Sequence, residues 1–246
     1  MKPVDCHCHL DFEQFDKDRA KVVERCRENL EFVVNAGSTL ENNKSALELQ
    51  EKYDIIKSNL GLHPVYTDNF SKLEEVKQQI RAEDPVAVGE IGLDHHHVKD
   101  QELRDKQEKV FRELLSLAEE LQKPVVIHSR DAEHKAVEIL ENYDLPEIFL
   151  HCFNGSPALA EEAAQKGMTI GVTTQVLYSN RIQKIVETLS LNDIVLETDS
   201  PFLYRGERNE PVNVEESAEK ISKLKSVEKE KVVEKTTSTA KRIFGQ

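Results

Sequence analysis

Along the chain, short apolar runs alternate with longer stretches in which apolar residues recur every third or fourth position. The runs at 32–37, 55–61, 85–89, 124–127, 148–150, 169–172 and 194–196 read as strands, and the opening run at 4–10 reads as another. Their lack of polar alternation fits strands covered on both faces, as in a parallel sheet wrapped by helices. Between them, 19–30, 40–53, 73–83, 101–122, 132–143, 159–166 and 182–189 read as amphipathic helices, and two more, 214–224 and 228–244, close the chain. Val110, Leu114, Leu117 and Leu121 mark the buried face of the longest helix, and Gly167 stands where a helix ends.

About eight strand and helix units in 246 residues predict a single α/β domain over residues 1–246, a (β/α)8 barrel of TIM type. An open doubly wound sheet is the alternative, because periodicity does not report closure. Composition adds limits. The formal net charge of −13 excludes a protein that grips nucleic acid by an extended basic surface, since such binding neutralises many phosphates. A phosphate handled in one deep site is not excluded. No apolar run is long enough to span a bilayer, the N-terminus has no signal-peptide pattern, and Cys6, Cys8, Cys26 and Cys152 show no disulfide framework. A cytoplasmic protein is expected.

The candidate chemistry stands at the strand ends. In the first run, period-two geometry places Asp5, His7 and His9 on one face and Cys6 and Cys8 on the other, where the thiols are expected to be packing residues. Later runs end in Gly61-Leu62-His63-Pro64, Gly89-Glu90-Ile91-Gly92-Leu93-Asp94, His128-Ser129-Arg130, His151-Cys152-Phe153-Asn154-Gly155 and Glu197-Thr198-Asp199-Ser200-Pro201. A parallel barrel brings these ends to one face, with the site at the C-terminal ends of the strands. So many ionisable groups in one buried place call for metal. Nitrogen and carboxylate donors suit magnesium, manganese or zinc, and four histidines with two carboxylates exceed one tetrahedral site. Two divalent ions sharing a carboxylate, roughly 4 Å apart, are expected.

Taken together, these motifs with Phe202-Leu203 and Arg208-Asn209-Glu210-Pro211 resemble the TatD family of metal-dependent deoxyribonucleases, within the amidohydrolase superfamily, nearly end to end. The resemblance implies that His7, His9, Glu90 and Asp199 surround one ion and that Glu90, His128 and His151 hold the other, with Glu90 bridging. Asp199 would orient the attacking water and take its proton. His63 and Arg130 would face the phosphate, with Asn154 and Arg208 as further candidates, Arg208 alternatively bracing its loop. The chain departs from the family at His95-His96-His97, where aromatics are common and where solvated or ligand-supporting histidines are expected, and at Thr239, where asparagine is common. The loop between Pro201 and Arg208 is also short.

The function expected is hydrolysis of DNA phosphodiester bonds, as an exodeoxyribonuclease acting on single strands or strand ends, by a monomer without a membrane or an obligate protein partner. The alternatives are a hydrolase of a small phosphate ester or cyclic amide and a non-catalytic metal-binding scaffold. The scaffold draws support from a low aromatic content without tryptophan, which offers little stacking area for single strands.

Overall fold

A computed structural model describes residues 1–245. The strands are β1 (Asp5–Cys8), β2 (Val33–Ala36), β3 (Ile56–Asn59), β4 (Val88–Asp94), β5 (Val125–Arg130), β6 (Ile148–Leu150), β7 (Thr169–Val172) and β8 (Ile194–Leu196). The helices are α1 (Arg19–Asn29), α2 (Leu40–Lys52), α3 (Leu73–Glu83), α4 (Gln101–Leu121), α5 (Glu133–Leu140), α6 (Pro157–Gln165), α7 (Asn180–Thr188), α8 (Val214–Lys225) and α9 (Lys229–Phe244). Side-chain caps set several starts: Thr39, Asp100, Ser156 and Ser179 each accept a hydrogen bond from a backbone N–H in the first turn. Ser156 followed by Pro157 starts α6 two residues earlier than apolar spacing predicts.

All strand pairs are parallel, in two runs, β1 to β3 and β4 to β8. Two seams join the runs into a ring. At one, Leu60 bridges Val88, and the Gly89 N–H donates to the Leu60 carbonyl at 2.9 Å. At the other, Cys8 bridges Ser200; the His9 N–H donates to Ser200 at 2.8 Å and the Asp199 N–H to His7 at 2.9 Å. The fold is the expected barrel.

Two apolar clusters divide the core. The larger lies between strands and helices. The smaller fills the barrel with residues of several strands, including Val34, Val126, Phe149 and Val195, and is completed by Ala240, Ile243 and Phe244 of α9. Phe244 sets its ring edgewise on Phe32 and Phe149, with centroids 6.4 and 6.2 Å apart, plugging the barrel. The Thr239 hydroxyl helps seat this helix by donating to the Asn192 carbonyl at 3.2 Å.

The first strand corrects one expectation. Cys6 and Cys8 do not share a face: Cys6 packs in the inner cluster and Cys8 in the outer one. The β1 to β2 register shifts between Asp5 and Cys8, and this irregularity breaks strict period-two alternation. Both thiols are nevertheless buried packing residues, as expected. No helix among the described residues is long and apolar enough to cross a membrane.

Candidate metal centre

The C-terminal strand ends surround a cavity of about 470 Å³ lined by, among others, His9, His63, Glu90, His128, His151 and Asp199. His7 lies beneath it, fully buried. Glu90 is the hub. Its Oε2 lies 3.4 Å from His7 Nε2, while its Oε1 lies 2.8 Å from His128 Nδ1, 3.2 Å from His63 Nε2 and 3.8 Å from His151 Nε2. Asp199 forms a second focus, with Oδ1 at 3.4 Å from His9 Nε2, 3.8 Å from His151 Nε2 and 4.0 Å from His7 Nε2. Donor atoms of His7, His9 and Asp199, of His7, Glu90 and His151, and of His63, Glu90 and His128 each lie within 4.8 Å of one another.

Hydrogen bonds behind the rings decide which nitrogens offer lone pairs. His9 Nδ1 faces the Ala36 carbonyl at 3.3 Å and donates to it, leaving Nε2 free. His151 Nδ1 is 2.5 Å from Glu197 Oε2 and His128 Nε2 is 3.0 Å from Asp94 Oδ2, so each ring gives its proton to a carboxylate and turns its other nitrogen to the cavity. This is how histidine ligands are normally oriented. His63 is wired the other way. Its Nδ1 accepts the Val65 N–H at 3.1 Å, so the neutral ring carries its proton on Nε2, toward Glu90. The structure therefore places His63 as a hydrogen-bond donor at the cavity wall.

The local field favours a cation. Burial opposes ionisation of Glu90, yet His63, His7, His151 and His128 hold its carboxyl well below the usual range. Burial also opposes charge on His9 and His128, but Asp199 and Glu90 at the first, and Asp94 and Glu90 at the second, raise both to about 9. Burial dominates at His7, His63 and His151, which stay neutral, so that His7 and His151 can offer lone pairs. Three imidazoles oriented from behind, the buried neutral His7 and two ionised carboxylates fit divalent metal.

Arg130 and Asn154 also line the cavity, Arg130 exposed. Arg208 does not line it. Its guanidinium bonds both oxygens of Asp18 at 2.7 Å, reaches Glu210 at 2.8 Å and lies over the Phe15 ring. It braces the loop, the alternative role expected for it, with fixed carboxylates holding it. Among the three consecutive histidines, His96 pairs with Asp131 near the surface, and His97 donates its backbone N–H to Asp94 Oδ1 at 2.6 Å with Nδ1 2.9 Å from Oδ2. His97 thus supports the carboxylate that orients His128.

Asp94 and Glu197 hold roles that the sequence reading does not assign. A usable signal existed: Glu197 is two residues from Asp199 and Asp94 four from Glu90, spacings that share a strand face. Gly171 makes room for Glu197, since a Cβ there would stand 2.2 Å from Glu197 Oε1. Asp5, predicted on the histidine face, instead accepts the Thr198 hydroxyl at 2.6 Å and backbone N–H at 2.8 Å, locking β1 to the segment after β8.

Comparison with known proteins agrees with this architecture. A family profile described as TatD related DNase matches residues 4–245. An uncharacterized metal-dependent hydrolase of Methanocaldococcus jannaschii is 39% identical over 237 residues, covering 94% of this chain and 92% of that one. A deoxyribonuclease of Homo sapiens is 32% identical over 262 residues, covering 98% and 94%. The crystal structure of a TatD homolog from Escherichia coli K12 superposes with a TM-score of 0.89 at 28% identity, covering 99% and 98%. The chain belongs to the TatD related DNase family and is a metal-dependent hydrolase.

Proposed function

We propose that this chain hydrolyses phosphodiester bonds of DNA, removing nucleotides from a strand end, with two divalent ions. The observation that carries this reading is Glu90, whose two oxygens face different donors: Oε2 turns to His7 and Oε1 to His128, His63 and His151. His7, His9, Asp199 and Glu90 would hold one ion, and Glu90, His128 and His151 the other. When bound, such ions neutralise charge on a phosphate and acidify water.

The chain's own groups complete the chemistry. Asp199 would orient the attacking water and take its proton. Burial opposes its charge, but the bond to His9 and the nearby His151 and His7 keep its carboxyl below the usual range, so it is ionised and able to accept. Its side chain is 16% exposed, enough to meet solvent at the cavity floor. His63 Nε2–H and Arg130 would donate to phosphate oxygens, and Asn154 stands on the same wall. DNA as substrate is supported by the family and by the human relative's name as a deoxyribonuclease.

The test is nucleotide release from end-labelled single-stranded and duplex DNA by metal-stripped protein, with magnesium, manganese or zinc restored and Glu90→Ala alongside. Stepwise shortening that needs metal and disappears in the variant supports the reading. Absence of cleavage with every ion, in protein that rebinds metal, removes it.

A further inference from the structure

The mouth of the cavity carries aromatic rings that nothing in the fold covers. Among the described residues, the exposed large apolar side chains are Met1, Tyr66, Tyr178, Phe202 and Val227. Tyr66 and Phe202, 40% and 44% exposed, both line the cavity. Tyr178 supports the same rim, its hydroxyl donating to the Leu203 carbonyl at 3.2 Å. Single exposed apolar residues need no explanation, but three aromatics gathered at one opening do. Tyr66 follows β3 and Phe202 follows β8, so the two rings belong to different walls of the ring of strands.

Both rings are mounted rigidly. The Phe202 N–H donates to the Asp199 carbonyl at 2.9 Å, and its own carbonyl accepts from the buried Asn209 amide at 2.8 Å. The Leu203 carbonyl takes a further bond from Thr174 at 2.7 Å. The Phe202 ring meets Phe12 edgewise with centroids 6.1 Å apart, and Phe12 stacks on His9 at 4.7 Å. Tyr66 meets His63 edgewise at 5.7 Å. Each exposed ring is therefore held at a set distance from a histidine of the metal centre, with apolar surface left facing the cavity.

We propose that Phe202 and Tyr66 form a subsite for an unpaired nucleobase, the base of the nucleotide whose phosphate faces His63 and Arg130. The proposal rests on the phosphodiesterase reading and names what that reading requires of the substrate, a base free of its duplex partner. Three observations converge on a base. The cavity, about 470 Å³, is of a size that encloses one small molecule. Aromatic faces bind any base through its π-face without reading sequence. A chain of net charge −13 has little long-range attraction for phosphates outside the metal centre, so stacking is a further hold open to it.

Calorimetric binding to metal-loaded protein tests the subsite, comparing deoxyadenosine monophosphate with deoxyribose phosphate in wild type, Phe202→Ala and Tyr66→Leu. The base-bearing ligand is expected to bind wild type about tenfold or more tightly than the base-free one, within the range of base–aromatic stacking. That advantage should collapse in Phe202→Ala and shrink in Tyr66→Leu, with deoxyribose phosphate affinity unchanged. Equal affinities in wild type, or an advantage that survives both substitutions, overturns the proposal. Binding is read apart from turnover: a base advantage that behaves as expected in protein unable to cut DNA supports the subsite and removes only the nuclease reading.

Discussion

His151 gives its Nδ1 proton to Glu197 Oε2 across 2.5 Å, in a place where the two side chains are 3% and 0% exposed. Burial raises the Glu197 carboxyl to about 8, against the opposing pull of His7 and of the Cys152 N–H. The bond fixes His151 Nε2 toward Glu90 and Asp199. Glu197→Gln keeps the shape and removes the charge, and metal affinity should fall about ten- to a hundredfold. Titration of metal-stripped protein with a competing chelator reads this directly, and unchanged affinity would refute the orienting role.

Gly171→Ala should act through the same carboxylate. The added Cβ would stand 2.2 Å from Glu197 Oε1 and 2.8 Å from a Phe149 ring carbon, both in the packed interior. Overpacking of this kind costs about 1–3 kcal/mol. Metal affinity should fall with stability, and the double variant with Glu197→Gln should lose less affinity than the single losses added together, because both act on one bond. Additive losses would mean that Gly171 acts elsewhere.

His63 is expected to differ from its neighbours. With Nδ1 occupied by the Val65 N–H, its Nε2 donates and does not ligate. His63→Ala should retain the wild-type metal content while turnover falls about a hundredfold, the scale for losing one donor to a developing anion. Metal analysis on the purified variant decides it; release of an ion would show that His63 is a ligand.

Arg208 and Asp18 make a stability prediction with a definite sign. The hydrogen bond from Arg208 holds the Asp18 carboxyl below its ordinary value, against a smaller opposing effect of burial. A folded value below the unfolded one, about 3.9, means that the stabilisation is present above that pH and is lost as pH falls through the folded value. The pair is partly exposed, so its contribution should stay below about 1 kcal/mol. The gap in melting temperature between wild type and Asp18→Asn should therefore be seen at neutral pH and close below about pH 4. Arg208→Ala should leave substrate KM unchanged; a large rise in KM would restore Arg208 to the substrate.

Phe244 plugs the barrel, 2% exposed and edgewise to Phe32 and Phe149, and Phe149 in turn meets His151 edgewise at 6.4 Å. Phe244→Ala should cost about 3–5 kcal/mol in denaturant unfolding while metal affinity per folded molecule stays constant. A loss of affinity without a loss of stability would mean that α9 reaches the centre by some route other than packing.

The low aromatic content that argued in sequence for little stacking area has a different meaning in space. Composition counts rings, and the barrel places exposed ones at its mouth: Tyr66 and Phe202 lie 136 positions apart in sequence and share one cavity.

What the chain determined by itself was local. Apolar runs and helical spacing identified strand and helix order because those patterns depend on neighbours two to four residues away, and the histidines and carboxylates were visible because they sit in or just after such runs. Tertiary structure alone decided closure at the Leu60–Val88 and Cys8–Ser200 seams, the broken alternation that separates Cys6 from Cys8, the pairing of Asp94 with His128 and of Glu197 with His151, and the diversion of Arg208 to Asp18. The reason is the same in each case. A ring nitrogen's role depends on what stands behind it, and a register depends on the strand beside it, as when Asp5 meets Thr198 across 193 positions of sequence; no local pattern carries such a partner.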